Sequence, residues 1–205
     1  MIIRKFQEKD REYLRNISAD TAMGSFAKNP KKREAIKLAY MDYYLDHEPQ
    51  NVIVAENNGK AVGYIVCSLD AQKFQTEFPK YIKKMKKYSK ILAFFQKIWL
   101  KTSKKLDLIY SGGFHINIDK DNQGGGLGTI LLTVMGQHIL KNGKTHMYLI
   151  TKNRKTRGYG FYKHFGFEEK KRYPLGSLLL VYDLKNLNSQ HNLQNISKDI
   201  QINLD

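Results

Sequence analysis

The stretch Ile116-Asn117-Ile118-Asp119-Lys120-Asp121-Asn122-Gln123-Gly124-Gly125-Gly126-Leu127-Gly128 decides how this chain is read. Ile116 and Ile118 alternate with polar neighbours, the pattern of a half-buried strand. Four glycines then crowd the positions from 124 to 128. Leu127, Ile130, Leu131, Val134 and Met135 mark one face of a helix, which Asn142-Gly143 ends. The order is strand, glycine-rich turn, helix. A helix opening in such a turn aims its unsatisfied N–H groups and its positive dipole end at one spot. Missing Cβ atoms let an anion approach closely. This predicts a phosphate or pyrophosphate seat.

The spacing narrows the ligand. A dinucleotide fingerprint needs Gly-x-Gly-x-x-Gly, whereas Gly124, Gly126 and Gly128 stand two apart. A P-loop needs glycine five residues before Gly143-Lys144-Thr145, and His138 is there instead. What remains is Gln123-x-x-Gly126-x-Gly128. It resembles the Gln/Arg-x-x-Gly-x-Gly/Ala pyrophosphate loop of GNAT-family N-acetyltransferases.

The flanking chain carries the same resemblance. Met147-Tyr148-Leu149-Ile150 reads as the family's fifth strand, followed by Asn153 and by Phe161-Tyr162-Lys163-His164-Phe165-Gly166-Phe167. Tyr44-Leu45-Asp46-His47-Glu48-Pro49, Val62-Gly63-Tyr64-Ile65 and the insert around Phe74 are similar to one GNAT branch, which includes the acetyltransferase-like domain of O-GlcNAcases. The central strand of that branch usually reads His-x-His-Ile-Asp. Here it is Gly113-Phe114-His115-Ile116-Asn117, with one histidine kept and the acid replaced by an amide.

The resemblance implies an α/β (α+β) GNAT fold: a mixed, mostly antiparallel sheet of six to seven strands, flanked by helices. It implies acetyl-CoA as donor and a small-molecule or peptide amine as acceptor, attacked in a ternary complex. The pyrophosphate would sit on the backbone of Gln123, Gly124, Gly125, Gly126, Leu127, Gly128 and Thr129. The pantetheine arm would run along Ile116, Asn117 and Ile118, with Asn153 on its other side, unless Asn153 is only a helix-start residue. Tyr162 is the candidate proton donor to the leaving thiolate, or else a packing tyrosine. His115 is the candidate base, or else a structural histidine, with Glu56, His47, Glu48 or a water relay as substitutes. Lys152, Arg154, Lys155 and Arg157 are candidates for the 3′-phosphate.

At 205 residues with 41% hydrophobic content, one domain over 1–184 and a polar tail over 185–205 are expected. The single cysteine, Cys67, excludes an internal disulfide and a cysteine-rich zinc site, and no metal is expected. The sequence shows no signal-like segment and no run of 18 apolar residues, so a cytoplasmic protein, monomer or homodimer, is expected.

Net charge is +16, and residues 73–105 carry +10 of it, from eleven lysines and the single acid Glu77. In that segment Phe78, Ile82, Met85, Tyr88, Leu92, Phe95 and Trp99 recur every three or four residues. They predict a helical insert over 70–106, broken near Ser89, with Pro79 in its first turn. The stripe packs on the body, or the segment meets an anionic membrane or nucleic acid, or it forms a dimer contact. A catalytically silent GNAT scaffold is the rival to an enzyme.

Elsewhere, Met1–Phe6 reads as a strand, Asp10 as a helix cap, 18–30 as a loop and 31–46 as one helix with Ala35, Leu38, Met41 or Asp42, and Leu45 in period. Residues 52–56 and 61–66 form a hairpin about Asn58-Gly59. Residues 108–118 read as the central strand, and 167–172 with 177–184 as a final antiparallel pair.

Overall fold

The computed structural model describes residues 1–22, 25–110, 112–152, 156–191 and 200–204. In chain order the elements are β1 (Ile2–Lys5), α1 (Arg11–Asp20), α2 (Ser25–Lys28), α3 (Pro30–Tyr40), α4 (Asp42–His47), β2 (Val52–Asn57), β3 (Lys60–Ser68), α5 (Ala71–Met85) and α6 (Lys90–Asp107). Then come β4 (Gly113–Ile118), α7 (Leu127–Lys141), β5 (His146–Thr151), α8 (Arg157–Phe165), β6 (Glu168–Arg172), β7 (Leu178–Asp183), α9 (Leu187–Gln190) and β8 (Gln201–Asn203).

The strands form one eight-stranded sheet in the order β6-β7-β5-β4-β3-β2-β1-β8. Neighbours are antiparallel except β4–β5 and β1–β8. The expected six to seven strands become eight because the polar tail returns to the sheet: Gln201–Asn203 pair with Ile2–Arg4. Leu187 is fully buried, and Leu184 and Leu187 fill the space that Gly136 leaves on α7. A polar composition hides this docking, because two leucines and three strand residues suffice for it.

Two cores lie on the sheet's two faces. Helices α1, α3, α4, α5 and the start of α6 cover one face of β2 and β3, around Tyr43, Tyr64, Phe78 and Met85. Helix α7 and the end of α8 cover the other, around Leu131, Met135, Phe165 and Phe167. A smaller cluster joins Leu106 at the end of α6 to Tyr148, Leu179 and Val181.

Several local expectations change. The helix expected over 31–46 breaks at Met41, whose backbone leaves the helical region (φ −132°, ψ −55°). Asp10 stands at the N-cap of α1 as expected but makes no side-chain cap bond, because its carboxylate accepts from Arg4 at 2.7 and 2.8 Å, a buried ion pair. Pro79 lies inside α5, because Asp70, nine residues earlier, caps the helix by accepting from Lys73 N–H at 2.9 Å. The break near Ser89 is present, and Ser89 caps α6. The central strand begins at Gly113; Leu108 and Ile109 lie in the turn that follows α6 and are exposed. The pair Gly112-Gly113 marks the break between the apolar run that ends the helical segment and the strand.

Candidate active site

Strand β4 is held along its whole length by β3, from Gly113↔Ser68 to Ile118↔Gly63. Strand β5 is held along its whole length by β7. Between β4 and β5, among the described residues, there is one register pair, Gly113↔Tyr148, with Tyr148 N–H donating to Gly112 O at 2.9 Å. Beyond Gly113 the two parallel strands part. Strand geometry alternates the direction of backbone polar groups. Gly112 O faces β5 and Asp119 N–H faces β3, where it donates to Val62 O at 2.8 Å. Ile116 and Ile118 therefore present their backbone groups to the gap.

Glycines hold the joint of this wedge. A Cβ on Gly112 would lie 2.3 Å from His146 O, and one on Gly113 would lie 2.9 Å from the Tyr148 ring. Sequence reading took Gly113 as a substituted family position and gave Gly112 no role. The adjacent glycines before the strand were the available signal.

The glycine turn follows β4. Gly124 (φ 108°) and Gly126 (φ 79°) are left-handed, and Gly126 is the N-cap of α7. Extra Cβ atoms at Gly124, Gly125 and Gly126 would meet nothing within 4 Å, so the cradle is open. Gly128 has a different cause: its Cβ would lie 2.8 Å from Phe161, so it lets α7 approach α8. The backbone N–H groups of 124–129 donate to none of the described residues. They stand at the positive end of a 15-residue helix. Gln123 shapes the turn through its side chain, donating to Ile118 O at 2.8 Å and accepting from Arg157 at 3.0 Å. These open donors fit a diphosphate.

The two faces of β4 carry the rest. Phe114, Ile116 and Ile118 face α7 and α8, where Tyr162 packs edge-on to Phe114 at 6.1 Å and to Phe167 at 5.5 Å. The Tyr162 hydroxyl bonds to none of the described residues, and burial pushes its pKa up. His115 and Asn117 face α3. His115 meets the ring of Tyr40 edge-on at 5.0 Å and that of Tyr44 at 6.1 Å. Burial lowers its pKa to about 4, so it is neutral at pH 7. Asn117 donates to the Tyr64 hydroxyl at 2.6 Å, which occupies its side chain beside the gap.

The substitute bases are spoken for. Glu48 is buried and accepts from Tyr43, Asn51, Ser68 and Leu69 N–H at 2.7–2.8 Å. Glu56 accepts from Arg4 at 2.6 Å, and His47 lies 3.7 Å from Glu77. Asn153, Arg154 and Lys155 fall outside the described residues. Among the described residues no cluster of three metal-ligating side chains occurs, and no helix is long and apolar enough to cross a membrane.

A family profile described as an acetyltransferase (GNAT) domain matches residues 48–169, more than half of the chain. No curated protein matches it significantly. Among solved structures, the protein called SsHAT superposes with a TM-score of 0.77 at 20% identity, over 89% of this chain and 97% of that one. The yncA acetyltransferase of Salmonella typhimurium, solved with its cofactor acetyl-CoA, gives 0.55 at 15% identity over 89% and 92%. The polyamine N-acetyltransferase of Drosophila melanogaster, which forms N-acetylagmatine, gives 0.56 at 14% over 88% and 98%. These likenesses carry the fold alone; the family rests on the matched profile, and the O-GlcNAcase-related branch is not shown. With the wedge, the open amides and the matched profile, the chain belongs to the GNAT acetyltransferases, acyltransferases whose acetyl donor is acetyl-CoA.

Proposed function

We propose that the protein moves the acetyl group of acetyl-CoA directly to a primary amine, on a small molecule or a peptide, with both substrates bound together. The observation that carries this reading is one arrangement. Amides at 124–129 that donate to none of the described residues stand at the end of a strand whose edge is open at Ile116, while Ile118 O accepts from the Gln123 side chain. The amides of Gly124 to Thr129 would hold the pyrophosphate, and the backbone of Ile116, Asn117 and Ile118 would hold the pantetheine arm. When bound, acetyl-CoA supplies a thioester open to attack by nitrogen.

The chain's own groups divide the proton work between the two faces of β4. Tyr162, kept protonated by burial, holds a proton for the sulfur on the α8 side. His115, neutral on the α3 side, accepts one from the nitrogen. A base with a pKa near 4 cannot take a proton from a free ammonium ion of pKa around 10. The amine must therefore arrive neutral, and His115 accepts only as the nitrogen forms its new bond and turns acidic. Cys67 takes no part in a covalent relay: it is buried in β3, and burial raises its thiol well above the usual range. This favours direct transfer.

Calorimetry with acetyl-CoA, followed by CoA release across aminoglycosides, amino sugars, polyamines and peptide N-termini, tests the reading. Binding heat with turnover on one class of amine is the expected result. An absence of binding heat would leave a GNAT scaffold without its donor and end the proposal.

A further inference from the structure

Helix α6 is apolar on two opposite sides. Leu92, Ala93, Gln96, Ser103 and Leu106 face inward and are buried. Gln75 of α5 fastens this side by donating to Leu100 O at 3.1 Å and Ser103 Oγ at 3.2 Å. On the opposite side Ile91 is 68% exposed, Phe94 61%, Phe95 49% and Ile98 48%. Their spacing of three and four residues makes them one continuous stripe. The sequence pattern had placed Phe95 in the packed stripe, and the structure turns it outward. Folding needs only one apolar side of this helix. The other has no partner among the described residues.

The charges around the stripe say what would cover it. Lys90, Lys97, Lys101, Lys104 and Lys105 on the same helix are exposed, and none forms an ion pair among the described residues. Lys83, Lys84, Lys86 and Lys87 extend this basic rim through the end of α5 and the turn. Over 73–105 the charge is +10, all of its cations lysine. Two copies meeting face to face would bring like charges together, which opposes a dimer through this surface. A nucleic-acid site would employ polar side chains and arginine forks, whereas here the centre is isoleucine and phenylalanine, and no arginine is present. Exposed aliphatic and aromatic tips within a ring of lysines match the headgroup layer of an anionic bilayer. The tips enter the acyl boundary while the lysines stay with the phosphates.

We propose that α6 is a peripheral membrane-docking surface for anionic phospholipid, with Ile91, Phe94, Phe95 and Ile98 as the inserting residues. The protein would lie on the bilayer with α6 flat, its 18 residues spanning about 27 Å. This surface is separate from the open strand edge and does not depend on the acetyl-transfer reading.

The test is flotation of the full chain with vesicles of phosphatidylcholine alone, or containing phosphatidylserine. The fluorescence of Trp99, the single tryptophan, provides a second readout from the same helix. Expected are binding to the anionic vesicles only, weakening as salt rises, and a blue shift of Trp99 emission. Phe94→Ser with Ile98→Ser should weaken binding at least tenfold, and each of Lys90→Gln, Lys97→Gln and Lys101→Gln about fivefold. Melting temperature and acetyl-CoA binding in the same variants show that the fold is intact. No binding to anionic vesicles would overturn the proposal. So would equal binding by the Phe94→Ser/Ile98→Ser variant, preference for duplex nucleic acid over vesicles, or a solution dimer that Phe94→Ser dissolves.

Discussion

Gly113 faces Tyr148 as the one paired register between β4 and β5 among the described residues, and a Cβ at position 113 would lie 2.9 Å from both the ring and the hydroxyl of Tyr148. Tyr148 cannot step aside easily. It is 1% exposed, and its hydroxyl donates to Asp107 at 2.6 Å. Gly113→Ala should therefore cost about 1–3 kcal/mol of stability through overpacking. Because the added methyl presses at the joint of the wedge, acetyl-CoA affinity should fall as well. Denaturant melts and calorimetry on one preparation check both effects.

Gly126 and Gly128 should separate by phenotype. At Gly126 the backbone is left-handed but the surroundings are open, so Gly126→Val places a branched side chain in the cradle at about 1–2 kcal/mol of backbone strain. Acetyl-CoA affinity should drop at least tenfold, with the fold retained. Gly128→Val drives a side chain into Phe161, so its main effect should be on melting temperature. Calorimetry on both variants, normalised to their folded fraction, distinguishes the two roles.

Tyr162→Phe keeps the ring contacts with Phe114 and Phe167 and removes only the hydroxyl, which bonds to none of the described residues. Stability and acetyl-CoA affinity should stay near those of the parent, and turnover should fall roughly 100-fold, the lower range for a lost general acid. Equal turnover would remove Tyr162 from the donor role.

Acid should weaken the fold through two histidines. Burial lowers His115 and His138 to about 4, and Lys5 and Lys141 add to the shift of His138. An unfolded histidine titrates near 6.5 by the usual reference. Between these values the unfolded chain holds more protons, so stability present above roughly pH 6.5 is lost as pH falls toward 4. Each histidine should contribute about 1–2 kcal/mol to that loss once solvent screening of its part-exposed ring is discounted. Melts at pH 4.5 and 7.5 for the parent and for His115→Gln check the sign, the variant losing less on acidification.

Much of the site was legible because its chemistry is local. The glycine turn and the helix after it each depend on a few adjacent residues whose backbone preferences act alone. Tyr162 and His115 entered as candidates through the GNAT resemblance of the residues around them, and their roles belong to the proposal. Gly112, the second role of Gly128 and the outward turn of Phe95 were not legible. Each depends on a residue far away in the chain: His146, Phe161, and the inner face of α6 that leaves Phe95 outside.

The sequence by itself determined the succession of strand, glycine turn and helix that becomes β4 and α7, since hydrophobic period, glycine and capping residues act over a turn or two. Tertiary structure alone decided that β4 and β5 join at a single glycine and then part, that the tail closes the sheet as an eighth strand, and that His115 and Tyr162 take opposite faces of β4. Those outcomes come from packing between segments up to two hundred residues apart, where the volume of one side chain sets the place of another.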